Sequence, residues 1–77
     1  MLYRYPRGDA PLHQHSSDYQ AVVIKGQAKH WAEGKTAADA QPLGPGSYWS
    51  QPARQKHGDT CLSDECLLFI TWSGKMD

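Results

Sequence analysis

His13 and His15 stand two residues apart in Pro11-Leu12-His13-Gln14-His15, a stretch that reads as extended chain. Alternation along a strand turns both imidazoles to one face, close enough to be neighbouring ligands on one metal ion. A third neutral imidazole, arriving from another strand, would complete a facial set and leave positions open for water or substrate. His57 is the candidate, because it follows the turn at Pro52 and stands near the start of a late strand. A metal so held acts as a Lewis acid or binds oxygen. An imidazole set suits iron, zinc, nickel or copper, with manganese also open, so the residues call for a divalent transition metal without naming it. Taken alone, His-x-His is equally the mark of two solvated sheet histidines. The surrounding pattern has to decide.

The elements that must position these residues are strands. Short β-branched and aromatic runs alternate with turn residues, and helical periodicity is nearly absent. Leu2 to Tyr5 reads as a first strand, ended by Pro6-Arg7-Gly8-Asp9, and Leu12 to His15 as extended chain before a bend at Ser16-Ser17. Asp18 to Lys25 carries Ala21, Val22, Val23 and Ile24 and closes at Gly26; Gln27 to Trp31 is expected to pair back on it as a hairpin. Ala32 to Lys35 is a turn. The alanines of Thr36 to Gln41 tolerate a helical turn, whereas Pro42-Leu43-Gly44-Pro45-Gly46 cannot be helix. Tyr48 to Gln51 is a strand that stops at Pro52. Lys56 to Leu62 and Leu67 to Trp72 are expected to form a hairpin around Ser63-Asp64-Glu65. Seven or so strands with short connections describe a small antiparallel β-barrel or jelly roll, all-β and a single domain over residues 1–77.

Composition narrows the function classes. Eight basic and 8 acidic residues balance, with no block of like charge, so the stripe of a nucleic-acid binder is missing and no nucleic-acid partner is expected. The longest apolar run, Leu67-Leu68-Phe69-Ile70, is strand-length, far below the ~20 residues of a membrane span, so no membrane partner is expected either. Met1 to Pro6 lacks the apolar stretch of a secretion signal, which makes a cytoplasmic location the default. A chain of 77 residues buries only roughly 60% of its unfolded surface. A bound metal, a disulfide or a second subunit would supply the missing stability. In a reducing cytoplasm Cys61 and Cys66 are expected as free thiols.

The wider spacing resembles a known family. His13-x-His15, three residues, Tyr19, six residues, Gly26 resembles the first cupin motif, in which the Tyr19 position is a glutamate. Gly46, five residues, Pro52, four residues, His57, three residues, Cys61 resembles the second, in which Arg54 would be glycine and Cys61 asparagine. The distance between the motifs is that of a single-barrel cupin, with a shorter region ahead of His13. The strings HSSDYQAVVIKG and PLGPGSYWSQPARQKH are similar to an uncharacterised, ChrR-like cupin subfamily.

The resemblance implies a metal held by His13, His15 and His57 and a small-molecule ligand inside the barrel. With the glutamate replaced, the set is similar to the three-histidine iron sites of cupin dioxygenases. A metal-dependent enzyme, dioxygenase-like, is therefore the first functional reading, and a non-catalytic binding or sensing module is the second. Tyr19, Gln20 and Cys61 are the candidates for a fourth ligand or pocket wall, with Asp18 weaker. His30, beside Trp31, reads as an exposed histidine, and Arg4 and Arg54 as solvated. Trp31, Trp49 and Trp72 read as core or subunit contact. No carboxylate is placed as a general base. A homodimer or higher homo-oligomer is expected, because exposed sheet edges invite pairing.

Overall fold

The computed structural model describes residues 1–76 and is all-β apart from one 3-10 turn. Its strands are β1 (Leu2–His13), β2 (Tyr19–Lys25), β3 (Ala28–Ala32), β4 (Tyr48–Gln51) and β5 (His57–Trp72). They form one antiparallel sheet in the order β1-β5-β2-β4, with β3 also on β5. The expected barrel-like, antiparallel architecture is present, with five strands among the described residues where about seven were expected.

The difference has a physical cause in β5. Its first half pairs with β1 and β3, and its second half with β1 and β2. Both halves run antiparallel to β1, so the chain does not reverse between Leu62 and Leu67, and the expected hairpin is absent. Instead the strand buckles. Pro6 faces Glu65 while Gly8 faces Cys61, so four steps on β5 answer two on β1. Cys61 and Cys66 close this excursion as a disulfide with Cα atoms 5.9 Å apart, where five extended residues would span roughly 16 Å. The expectation of two free thiols is corrected. Arg7 clasps the buckle from β1, donating to the Leu62 carbonyl and, at 3.0 Å, to Asp64 Oδ1.

The same buckle explains β3. Rather than folding back on β2, β3 lies beyond it along the same edge of β5. Gly26, at φ 92°, makes the bend between them, and a Cβ there would stand 2.5 Å from the Glu65 carbonyl oxygen. Only glycine fits a left-handed residue pressed against backbone. The first strand also runs through Pro6 without ending. It is an edge strand, where the missing proline N–H breaks no ladder bond. Thr36 caps the 3-10 turn Ala37–Asp39, its N–H donating to Asp39 Oδ2 at 2.8 Å.

Alternation sorts the side chains. Tyr19, Ala21 and Val23 of β2 and Leu68 and Ile70 of β5 point inward and form the buried core, with Tyr5, Leu43, Trp49 and Trp72 packed against it. Burying each of Val23, Leu68 and Ile70 contributes about 1.5–3 kcal/mol. The intervening Gln20, Val22 and Phe69 point outward. No helix among the described residues is long and apolar enough to cross a membrane.

Candidate metal centre

Sheet register builds the site. His13 ends β1 directly opposite His57, the first residue of β5. Their ring centroids are 4.3 Å apart, and His15, two residues on, brings its ring to 5.0 Å from His13 and 5.1 Å from His57. One ring nitrogen of each lies within 4.8 Å of the others. Ligands sharing one ion at about 2.0–2.1 Å stand about 3–3.4 Å apart, so small ring rotations suffice to converge them.

Backbone contacts decide which nitrogens are offered. His13 Nδ1–H donates to the Pro11 carbonyl at 2.6 Å, and His57 Nδ1–H to the Gln55 carbonyl at 3.1 Å. Each bond fixes a tautomer whose Nε2 lone pair faces the site, as metal-binding histidines require. His57 is fully buried, and its Nε2 has no hydrogen-bond partner among the described residues. A buried polar atom left unpaired costs about 1–3 kcal/mol, which a metal ion at that position would recover. The donor set therefore fits a divalent transition metal. Burial pulls the His57 pKa below its ordinary value, with His13 and His30 adding to the effect and the Gln55 carbonyl and Asp59 opposing it. The neutral ring is the form that ligates.

The second cupin-type turn is tied to this segment. The Arg54 N–H donates to the His15 carbonyl at 2.8 Å, and Asp18 Oδ1 accepts from the Ala53 N–H at 2.6 Å. Arg54 holds φ 61°, left-handed although it is not glycine. The motif's glycine has been lost while its backbone shape is kept.

The other sequence candidates separate. Tyr19 is buried beside the histidines, its ring 5.6 Å from His15, and its hydroxyl accepts from Trp49 Nε1–H at 3.2 Å. Gln20 lies on the exposed face of β2, turned by alternation away from Tyr19 and the histidines. Cys61 is bonded to Cys66 and has no thiolate to offer. His30 is not the exposed residue expected: it is largely buried, stacked on Trp49 with centroids 4.8 Å apart. Its two nitrogens lie 2.5 Å from Asp59 Oδ1 and 2.8 Å from Gln51 Oε1.

Asp59 is the residue that sequence reasoning missed. It faces His30 across the β3–β5 ladder. Its Oδ2 lies 3.7 Å from His13 Nε2 and 3.8 Å from His57 Nε2. The signal was present in His57-Gly58-Asp59, which alternation puts on one face. A cavity of about 290 Å³ opens over this cluster, walled by Tyr3, Tyr5, Tyr19, Trp49 and Trp72, with His13, His15 and Asp59 at its polar end. No lysine or arginine among the described residues lines it. Burial first, and the Asp59 charge next, push the Tyr5 hydroxyl up to about 12 and raise that of Tyr19 as well.

Residues 1–77 match, over their whole length, the family described as Domain of unknown function (DUF4437). The chain belongs to that family. No curated protein matches it. Among solved structures it is similar to the DMSP lyase DddQ from Ruegeria pomeroyi DSS-3, at TM-score 0.80 and 23% identity over 99% of this chain. It is also similar to a cupin-2 domain containing protein from Shewanella frigidimarina NCIMB 400, at 0.72 and 20% over 90%. KdgF from Halomonas sp. follows at 0.69 and 21% over 96%. The DUF4437 chain spans 38% of that lyase, 63% of the cupin-2 protein and 71% of KdgF. At these identities the likeness establishes the fold, which is that of the cupins.

Proposed function

We propose that this DUF4437 domain is a metal-dependent enzyme acting on a small organic molecule in the aromatic cavity, with His13, His15 and His57 as metal ligands. The observation that carries this is the orphaned, buried Nε2 of His57, set among two further imidazoles beneath a cavity of substrate size. Iron, zinc, nickel, copper or manganese bound there would supply Lewis acidity or an oxygen-binding position. The chain's own contribution is shape and polarity. The aromatic wall takes up the apolar body of the substrate and excludes water. With their pKa values raised, the Tyr5 and Tyr19 hydroxyls stay protonated at neutral pH and act there as hydrogen-bonding groups, not as bases.

Dioxygenase chemistry is the finer reading, supported by the likeness of an all-imidazole facial set to cupin dioxygenase sites. The similarity to DMSP lyases supports lyase chemistry as a second reading. Fe(II)-loaded protein offered a panel of diketones, thiols and aromatic diols in an oxygen electrode tests the first. Anaerobic incubation with DMSP, followed by product analysis, tests the second. If neither panel turns over with any of the five metals, the domain is a binding or sensing module.

A further inference from the structure

We propose that Asp59 is a protein ligand of the bound metal, supplying through Oδ2 the fourth position that a glutamate would hold if Tyr19 were one. The inference rests on the three-histidine reading above and adds a residue to it. Three observations bear on it, and each is independent of the family motifs.

The first is position. Asp59 Oδ2 lies almost equidistant from the Nε2 atoms of His13 and His57, at 3.7 and 3.8 Å. Those are the nitrogens that the Pro11 and Gln55 carbonyls leave facing the site. A shift of a few tenths of an ångström brings an oxygen at that place into one ion's shell. The second is anchorage. Asp59 Oδ1 is held at 2.5 Å by His30 Nδ1, whose Nε2 meets Gln51 Oε1 at 2.8 Å. Gln51 is itself oriented by its amide donating to the Pro52 and Gln55 carbonyls, each at 3.3 Å. Ligating carboxylates are held in this way, one oxygen in a hydrogen-bond network and the other on the ion.

The third is charge. The wall around Asp59 holds no lysine or arginine among the described residues, and its ion-pair partner His30 engages Oδ1, which leaves Oδ2 for a second positive partner. A divalent ion on three neutral imidazoles requires a negative one, and each satisfies the other. The consequence reaches the choice of metal. Three imidazoles and a carboxylate close a tetrahedral zinc shell. In an octahedral shell the same four donors leave two positions open for substrate. The donor count therefore favours a six-coordinate metal in a working enzyme.

The test is Co(II) binding to the full chain, by competition with a chromophoric chelator, for wild type, His13→Ala, Asp59→Asn and Asp59→Cys. Circular dichroism checks that each variant is folded. Loss of an outer hydrogen-bond partner weakens metal binding roughly 10–100-fold, so Asp59→Asn is expected to lose more than about 100-fold. Co(II)-loaded Asp59→Cys is expected to show the near-ultraviolet charge-transfer absorption of a thiolate on cobalt; Cys61 and Cys66, bonded to each other, cannot produce it. Tight wild-type binding with Asp59→Asn within about tenfold of it, or Co(II)-loaded Asp59→Cys without the band, overturns the assignment of Asp59 alone. A wild type that binds no more Co(II) than His13→Ala overturns the three-histidine reading itself.

Discussion

Asp59 Oδ2 stands 3.8 Å from Nε2 of His57, two residues earlier on the same strand. Side chains two apart on a strand share a face, and here the pair sets a carboxylate in the wall of the cavity with a fully buried imidazole beside it. The arrangement depends on β5 holding its register between His13 on one side and His30 on the other. Disturbances of the site should therefore be readable in metal content and in stability alike.

Purified protein is expected to hold about one transition metal per chain, read by elemental analysis without an affinity tag. His13→Ala, His15→Ala and His57→Ala should each abolish it. His30→Ala should keep the metal at saturation but bind it roughly 10–100-fold more weakly, because it orients Asp59 and touches no ion itself. Undiminished metal in His57→Ala would sink the constellation.

Acid should destabilise the metal-free domain through His57. Its pKa in the folded state is lowered by burial, so just below the ordinary value near 6.5 the unfolded chain binds more protons than the folded one. Stability is then full above that value and falls as pH drops towards the folded pKa, by at most about 1.4 kcal/mol per pH unit for one group. Denaturation midpoints measured from pH 7.5 downward should show this slope, and His57→Gln should flatten it.

Much of the site was legible in the sequence because ligands on strands obey a period of two. His13 and His15 share a face by that rule, Gly26 and Gly46 mark turns, and the spacing to His57 follows the second motif. Asp59 obeys the same rule from His57, but its role needed β3 to deliver His30 opposite it. That pairing was hidden by the expectation that β3 folds back on β2. The buckle of β5 was equally hidden. Ser63-Asp64-Glu65 reads as a turn, and only the shared partner β1 reveals that the chain leaves the ladder there and rejoins it in the same direction. Long-range pairing decided both, and local composition does not encode it.

The disulfide should be measurable as stability. Closing a loop of about five residues contributes about 2 kcal/mol on the chain-entropy scale. Cys61→Ser with Cys66→Ser, or reductant added to the wild type, should lower the melting temperature by roughly 8–16 °C for a domain of this size. Mass spectrometry after alkylation without reductant should find neither cysteine modified.

Arg54→Gly should stabilise the domain. A non-glycine residue in the left-handed region costs about 1–2 kcal/mol, and glycine gives back roughly 0.5–1 kcal/mol of that through unfolded-state entropy. A net gain of about 0.5–1 kcal/mol remains, visible as a rise of a few degrees in melting temperature. Because the Arg54 N–H that holds the His15 carbonyl is backbone, metal content should not change. A glycine variant that melts lower would show that the Arg54 side chain contributes more than its backbone strain costs.

Dimerisation through the outer face of the sheet is the last expectation. Register places Leu2 opposite Phe69, Phe69 opposite Val22 and Val22 opposite Tyr48, so one apolar row crosses all four strands of the order β1-β5-β2-β4. These four side chains are 63%, 47%, 38% and 55% exposed. Beside the row lie Gln20, Ser50 and Thr71 on one flank and the ion pairs of Glu65 with Arg4 and Lys25 on the other. An apolar stripe with polar flanks is the pattern of an association surface, and a two-fold axis would lay the row on its own copy. Light scattering at micromolar concentration should report a dimer, and melting temperature should rise with protein concentration. Phe69→Lys and Val22→Lys alter outward positions and leave the core side chains in place, so each should give a folded monomer that still binds metal. A wild type that stays monomeric, with a melting temperature independent of concentration, would remove the outer face as an interface.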